Sequence, residues 1–294
     1  MPQENAAPRY IPLPERAVLA VSGEDAATFL QGLITVDTEG LEVGKTRYGC
    51  LLTPQGKFGF DFFLIRQAAD SFWLETEAGQ AADLMKRLRM FKLRSKVDLA
   101  LSDPAPAVFA CLSAPSDAPD GVTLFEDPRM AALGHRAIGD DAVMRGWLEA
   151  AGFTQAPIGD YDTHRLTLGI PDGTRDMEVG KSTMLECNID QLNGIDWEKG
   201  CYMGQELTAR TRYRGLVKKR LIPLEIDGSL PEHGTAVMRG DKSVGETRSA
   251  FGTHALALMR IAGIEDAEPG AFQIGDANAS LIVPDWLRLE KEEI

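Results

Sequence analysis

The sequence contains only four cysteines and four histidines among its 294 residues. The cysteines are far apart, with no CxxC pair and no cysteine–histidine spacing typical of a zinc finger. They therefore indicate neither a disulfide framework nor a structural zinc site, and they fit a reducing compartment, for which we expect the cytoplasm. The four are Cys50, Cys111, Cys187 and Cys201.

Long apolar runs are missing as well. No stretch approaches the roughly 18 residues of a membrane span, so a membrane is not expected as a partner. Residues 1–16 contain four prolines, have no apolar centre of a secretory signal, and are not rich in arginine as a transit peptide is. We interpret them as an extended N-terminal arm.

Several catalytic signatures are also absent. No serine lies in a GxSxG elbow or an SxxK box, and the histidines are scattered, which argues against triad hydrolysis. Neither a GxGxxG after a strand nor a GxxxxGK[ST] loop occurs, so dinucleotide binding and P-loop chemistry have no support.

Acidic residues dominate the charge. The 44 Asp and Glu against 31 Lys and Arg leave a net charge of -13, and such a field repels polyphosphate. Direct nucleic-acid binding is therefore not expected. The 44% apolar and 26% charged residues are typical of a globular protein, and the length corresponds to about two domains.

The order of elements predicts an α+β protein. Ser22 to Asp25 has the spacing of a capping box, which predicts a helix opening at Ser22. Alternating apolar residues predict a hairpin over 47–66, and a helical stripe predicts a helix over about 78–91. After Gly215 only short strands follow. We therefore divide the chain into the arm, a mixed region over 17–215 and an all-β domain over 216–294.

The stretch around Cys201 carries the most chemical information. Cys201 lies between Gly200 and Gly204, two residues after Lys199, and just before a stretch with a helical charge pattern. A helix N-terminus and a nearby ammonium both favour thiolate over thiol, so Cys201 is a candidate nucleophile or metal ligand. The alternative is that Cys201 is simply a small residue in a crowded turn.

Two basic segments stand out in this acidic chain. Residues 210–220 and 86–96 each hold six basic residues and no acid. Each can be a solvated face, but the closeness of 210–220 to Cys201 also suggests an anionic ligand or an acidic partner there. His164 and Arg165 on a predicted short helix, and Asp61 in the hairpin, are further candidates, although pattern alone favours a solvent-exposed Asp61.

The stretch 199–206, KGCYxGQE, resembles the signature of the YgfZ family of folate-binding, iron–sulfur-assembly proteins. The resemblance covers most of residues 17–225 and is nearest to the mitochondrial-type branch, which helps mature [4Fe-4S] proteins. The motif residues that it singles out are Gly200, Tyr202, Gly204, Gln205, Glu206 and Arg210, and it continues in 207–211, 219–221, 161–165, 169–176, 186–188, 23–37 and 55–57.

The resemblance implies the fold of the glycine-cleavage T-protein, with two interwoven α+β subdomains and a C-terminal β-barrel. It implies a folate site at Asp61, Tyr161 and Arg165, with tetrahydrofolate or a derivative as ligand. It also implies that Cys201, assisted by Lys199, acts in iron–sulfur assembly and contacts a cluster transiently. Assembly proteins and client proteins are then the expected partners.

This chain departs from the T-protein pattern at two positions that matter for catalysis. Where T-proteins carry a second acidic residue in a strand and a glutamate on a helix, this chain has Phe60 and Thr167. A pterin needs acceptors for its N–H groups, so these changes weaken aminomethyl transfer. We therefore expect an assembly factor, and the alternatives are a tetrahydrofolate-dependent one-carbon transferase and an indirect role in tRNA modification. Whether any turnover occurs is left open.

Overall fold

A computed structural model describes residues 7–215 and 217–289. The described residues fall into two compact units whose segments alternate along the chain. The first unit takes in residues from 1–50, 60–161 and 196–201, and the second unit takes in residues from 51–59, 162–195 and 202–294. Part of the predicted arm (1–6), the domain boundary at 216 and the end of the predicted barrel domain (290–294) lie outside the described residues.

Sixteen strands and seven α-helices are found among the described residues. The strands are β1 (Arg9–Pro12), β2 (Arg16–Ser22), β3 (Thr46–Leu52), β4 (Phe58–Ala68), β5 (Ser71–Glu77), β6 (Asp98–Leu101), β7 (Ala107–Cys111), β8 (Thr123–Glu126), β9 (His135–Gly139), β10 (Thr154–Gln155), β11 (Lys219–Asp227), β12 (Ala236–Arg239), β13 (Lys242–Phe251), β14 (His254–Arg260), β15 (Phe272–Ile274) and β16 (Ala277–Leu281). The helices are α1 (Ala26–Gln31), α2 (Ala78–Lys92), α3 (Asp141–Ala150), α4 (Ile158–Thr167), α5 (Gly173–Asp176), α6 (Gln205–Tyr213) and α7 (Ile261–Ile264), with a 3₁₀ turn at Ala131–Leu133.

Two five-stranded sheets organise the first part of the chain. One has the order β3-β4-β5-β2-β6, and the other has the order β10-β1-β7-β9-β8. In the second sheet β1 pairs antiparallel with β7 and parallel with β10. Tyr10 of β1 stacks on Phe109 of β7 with ring centroids 5.3 Å apart, and both belong to the core of this sheet.

The second unit contains a closed barrel of order β11-β14-β13-β12-β15-β16. Closure is complete because β11 pairs with β14 on one side and with β16 on the other. Ile222, Leu224, Phe272 and Ile274 are among the side chains that fill it. The β-rich texture after Gly215 therefore corresponds to a barrel, and the mixed α+β class is confirmed.

The predicted helix over 78–91 is confirmed as α2, in which Leu84 and Leu88 are fully buried. The capping box predicted at Ser22 is wrong, since β2 continues to Ser22 and α1 starts at Ala26. The carboxylate of Asp25 instead accepts a hydrogen bond from the backbone N–H of Lys96 at 2.7 Å. Tertiary contact thus replaces the local capping interaction.

Strand β4 departs from its sequence pattern in a way that affects the site. Alternation predicts one buried face and a solvent-exposed Asp61, yet residues 61–65 are all buried. The strand is therefore covered on both faces, and Asp61 is only 5% exposed.

Within the described parts of the chain, no helix is both long enough and apolar enough to cross a membrane.

Candidate functional site

The segment 196–201, which carries Cys201, is anchored within the first unit. The backbone N–H of Asp196 donates to the carbonyl of Thr35 at 2.9 Å. The Asp196 carboxylate accepts hydrogen bonds from the backbone N–H groups of Glu198 (3.0 Å) and Lys199 (3.1 Å) and from the guanidinium of Arg47 (3.2 Å). The Asp196 carboxylate therefore holds the backbone turn at Glu198 and Lys199 and also links the segment to Arg47.

Lys199 provides the second anchor. Its ammonium donates to the backbone carbonyls of Gln31 (2.9 Å), Ile34 (2.8 Å) and Val36 (2.8 Å). These acceptors match the three N–H donors of an ammonium, and Gln31 is the last residue of α1, where a cation is favoured. Burial lowers the pKa of Lys199 to about 8, against the opposing effect of Asp37 and other nearby carboxylates. Lys199 thus ties the segment to the end of α1.

Cys201 differs from the other three cysteines in its exposure. Cys201 is exposed, whereas Cys50, Cys111 and Cys187 are buried, and all four are free thiols. Burial raises the pKa of Cys111 and of Cys187 to about 12, so both remain protonated at neutral pH. Accessibility therefore favours Cys201 as the reactive thiol. No group of three or more His, Cys, Asp or Glu within the described residues is arranged to hold a metal ion.

The rest of the motif belongs to the second unit. Gly204 has φ +83°, and a Cβ there would lie 2.6 Å from the carbonyl oxygen of Thr53 and 3.0 Å from the Cα of Gly56. Gly56 also has a positive φ of +69°. The two glycines permit a backbone-to-backbone contact that no side chain would allow. This contact explains the glycine in the stretch 199–206 and the glycine in the stretch 55–57.

Gln205 begins α6 and closes its N-terminus. Its side-chain oxygen accepts from the backbone N–H of Tyr202 at 3.2 Å, while its own N–H donates to the carbonyl of Tyr202. Tyr202 itself is buried, whereas Glu206 in the first turn and Arg210 near the end of α6 are exposed. This charge order suits the helix dipole.

Asp61 lies in a buried polar cluster of the first unit. Its carboxylate accepts a hydrogen bond from the Tyr48 hydroxyl at 2.9 Å, and its backbone carbonyl accepts one from the Thr76 hydroxyl at 2.8 Å. Burial, and then the charge of Asp61, raise the pKa of Tyr48 well above its ordinary value. Tyr48 is therefore a neutral donor to a buried carboxylate.

Tyr161 contacts a set of buried ion pairs in the same unit. Its hydroxyl accepts from Arg136 at 2.8 Å and from Arg129 at 3.4 Å. Arg129 pairs with Asp127 at 2.8 Å and Arg136 pairs with Glu75 at 3.2 Å, and all four charged side chains are at most 3% exposed. Sequence reasoning missed these four residues because their positions show no local pattern.

Arg165, in the second unit, is fully buried and extensively hydrogen-bonded. Its guanidinium donates to Asp162 (2.8 Å), Asp176 (2.8 Å), the Ile170 carbonyl (3.2 Å) and Ser249 (2.9 Å). Burial alone would lower its pKa, but Asp176 and other carboxylates raise it. These contacts join α4 to β13, and the folate role of Arg165 stays a prediction.

Phe60 and Thr167 are the two residues that the sequence comparison places where T-proteins carry carboxylates. Phe60 is half-buried in β4, directly before Asp61. Thr167 is exposed on α4, where its hydroxyl donates to the carbonyl of Thr163 at 2.8 Å. Asp61 is therefore the acidic residue that this strand retains.

Comparison with known proteins identifies both parts of the chain. Residues 218–289 match the family described as CAF17, C-terminal beta-barrel domain, and residues 16–110 match the GCVT N-terminal domain. The aminomethyltransferase T of the glycine cleavage system from Bartonella henselae has the same fold, with a TM-score of 0.77 at 16% identity, over 96% of this chain and 87% of that one. The predicted T-protein-like fold is thus confirmed.

Curated relatives are similar over at least three quarters of the chain. The mitochondrial iron–sulfur cluster assembly factor IBA57 of Mus musculus is 34% identical over 92% of this chain and 83% of its own length. The Homo sapiens protein of the same name is 31% identical over 97% and 87%. The Neurospora crassa homologue is 35% identical over 75% of this chain and 54% of its own.

Two expectations need correction. The relatives are named mitochondrial, which contradicts the cytoplasmic location expected from the sequence and points to mitochondria instead. Free thiols indicate reducing conditions without naming the compartment, so the cysteine count could not separate the two. The resemblance to the YgfZ family is confirmed only at the coarser level of assembly factors with a T-protein-like fold. At 34% identity over 92% of its residues, this chain belongs to the family of the iron–sulfur cluster assembly factor IBA57.

Proposed function

We propose that the chain assists the maturation of iron–sulfur proteins, including those with [4Fe-4S] clusters, and that Cys201 contacts the cluster during assembly. The names of its relatives support the general role. The observation that supports the specific residue is the exposure of Cys201 on a segment anchored by Asp196 and Lys199.

The chemistry required of Cys201 is a ligand exchange. The Cys201 thiol gives its proton to solvent, and the resulting thiolate bonds to iron in place of a cysteine thiolate of the protein that delivers the cluster. The displaced thiolate leaves and takes up a proton, so no oxidation state changes. Thiolates are the usual ligands of iron–sulfur clusters, and a cluster has several such positions. Cys201 supplies one of them, and we assign the others to the assembly or client protein that carries the cluster. The cluster is therefore cargo.

Replacement of Cys201 by serine tests this assignment. In cells that lack the native protein, Cys201→Ser should fail to restore aconitase-type [4Fe-4S] activity while the protein accumulates normally. Gly200→Ala is the matched control, because a Cβ at Gly200 would meet no atom within 4 Å. Full activity with Cys201→Ser would show that the thiol is not used.

We also propose that a reduced folate is bound in the first unit, at Asp61 and Tyr161. The Asp61 carboxylate accepts a hydrogen bond from the neutral Tyr48 hydroxyl. A neutral N–H group of a pterin can take the place of this hydroxyl as donor, and the net charge of the contact stays the same. The aromatic ring of Tyr161 is buried beside two guanidinium groups. These groups suit a ligand with N–H donors and a flat ring.

Calorimetric titration with tetrahydrofolate tests this second proposal. Asp61→Asn and Tyr161→Ala should each weaken binding about tenfold or more, since an amide is a poorer acceptor than a carboxylate and the ring contact is lost. Tyr161→Phe keeps the ring and should bind more tightly than Tyr161→Ala. Equal affinities for all four proteins, or no heat with the native chain, would contradict folate binding at these residues.

A further inference from the structure

An open groove of about 850 Å³ lies in the second unit, where β11 begins and β14 ends. Its apolar lining includes Val217, Ile261 and Leu289. Lys218, Lys219 and Arg260 line it as well. We call this the basic groove. It includes part of the basic segment 210–220 that the sequence singles out, and it lies on a different part of the chain from Cys201.

The strand register at the basic groove brings two cations together. Lys219 of β11 is directly opposite Arg260 of β14 in the antiparallel ladder, and both side chains line the groove. Like charges at directly opposed positions destabilise a sheet. Within residues 7–215 and 217–289, no carboxylate forms an ion pair with either of them. An anion in the groove would relieve this repulsion.

A smaller cavity of about 50 Å³ shares Val217, Ile261 and Leu289 with the basic groove. Its polar lining includes Arg220 and Arg288. The Arg220 guanidinium is held by Asp190, while Gln191 exchanges two hydrogen bonds with the backbone of Arg288 at 2.8 and 3.0 Å. The walls are thus fixed, and the volume suits a few waters or a carboxylate.

The charge of this region is opposite to that of the molecule. Groove and cavity together are lined by six basic and two acidic residues, in a chain of net charge -13. An acidic partner is repelled by the protein as a whole and attracted here, which favours one docking orientation. The apolar residues Val217, Ile261 and Leu289 form what we call the apolar floor of the groove. A partner must bring apolar side chains to cover this floor, and a polyanion without such side chains cannot do so.

We propose that the basic groove docks a short amphipathic segment of a partner protein, with leucine- or isoleucine-like side chains on the floor and Asp or Glu carboxylates near Lys218, Lys219 and Arg260. The docking is separate from the chemistry of Cys201, and it stands even if the proposed cluster contact fails.

Fluorescence anisotropy of a labelled synthetic peptide tests the groove. The probe is a 14-residue peptide of alternating Leu and Glu pairs, titrated with the full chain at about 0.15 M salt. Lys218→Glu/Arg260→Glu should weaken binding at least tenfold. The control Lys86→Glu/Arg89→Glu changes the net charge equally at exposed positions of α2, and it should weaken binding less than twofold.

Lys219→Glu guards against a folding artefact. It replaces the like-charge pair with an opposite-charge pair across β11 and β14, so the melting temperature should not fall while peptide binding weakens at least fivefold. If Lys219→Glu weakened peptide binding only because the variant unfolds, the proposal would be contradicted.

Four other results would overturn it. Equal weakening by the groove and α2 variants would show that only net charge matters. Equal binding of poly-glutamate would show that the apolar floor is not used. Binding only by a chain ending at residue 289 would mean that the last five residues occupy the groove. Self-association abolished by Arg260→Glu would mean that a second copy occupies it.

Discussion

Cys201 is distinguished from the other three thiols by its exposure. We predict that iodoacetamide under native conditions at pH 7 labels Cys201 first, because Cys50, Cys111 and Cys187 are buried and burial raises the pKa of the latter two to about 12. Peptide mass spectrometry at increasing reaction times measures the order. The unfolded protein is the control, in which all four should react at similar rates. Faster native labelling of any buried cysteine would contradict the prediction.

Lys199 is expected to anchor its segment and not to activate the thiol of Cys201. Lys199→Met leaves three carbonyls without their donor, so the free energy of unfolding should fall by about 2 kcal/mol. Chemical denaturation measures this loss. A role in activating the thiol instead predicts unchanged stability and slower alkylation of Cys201 in the same variant. The two measurements therefore separate anchoring from activation.

The turn before α6 depends on one glycine of the motif and not on the other. Gly204→Ala should lower the free energy of unfolding by about 2 kcal/mol or more, since φ is +83° and the new Cβ would meet the Thr53 carbonyl at 2.6 Å. Gly200→Ala meets no atom within 4 Å and should change it by less than about 0.5 kcal/mol. Urea denaturation of both variants tests the difference, and equal losses would contradict it.

Elements with strong local periodicity could be predicted from the sequence. The stripe of Leu84 and Leu88 was enough to locate α2, because one buried helix face leaves a 3.6-residue period. Strand β4 could be located but not its burial, because alternation cannot indicate a second covered face. The exposure of Asp61 was therefore predicted wrongly.

The motif around Cys201 could be located from the sequence, but its contacts could not. Lys199 meets carbonyls about 165 residues earlier in the chain, and no local spacing indicates such a contact. The same holds for the ion pairs of Glu75 with Arg136 and of Asp127 with Arg129, whose side chains are buried by tertiary structure alone.

The buried ion pairs link the stability of the whole molecule to pH. Burial alone would raise the pKa of Asp127, but Arg129 and Arg136 hold it below its ordinary value of 3.8. The folded chain therefore binds this proton more weakly than the unfolded chain. The stabilisation is complete above about pH 5 and is lost as the pH falls through the folded-state pKa.

Asp127→Asn tests this linkage. Removing one partner of a buried pair leaves Arg129 uncompensated, so the free energy of unfolding at pH 7 should fall by about 3 kcal/mol. The difference between native protein and variant should shrink as the pH drops below about 4, because the unfolded native chain then takes up a proton at Asp127 that the folded chain binds more weakly. A difference that stayed constant from pH 7 to pH 3 would contradict the assignment.

The variants Cys201→Ser and Asp61→Asn together distinguish cluster assembly from one-carbon transfer for the molecule as a whole. Assembly requires a soft thiolate ligand, which serine cannot replace, whereas transfer requires a carboxylate to meet the pterin or its reacting nitrogen. In cells lacking the native protein, Cys201→Ser should therefore reduce aconitase-type activity far more than Asp61→Asn, with each variant compared at equal protein level. Asp61 accepts from Tyr48 in the buried cluster, so the melting temperature of Asp61→Asn must be measured alongside. If Asp61→Asn is stable and yet the more damaging of the two, the transferase is the better account.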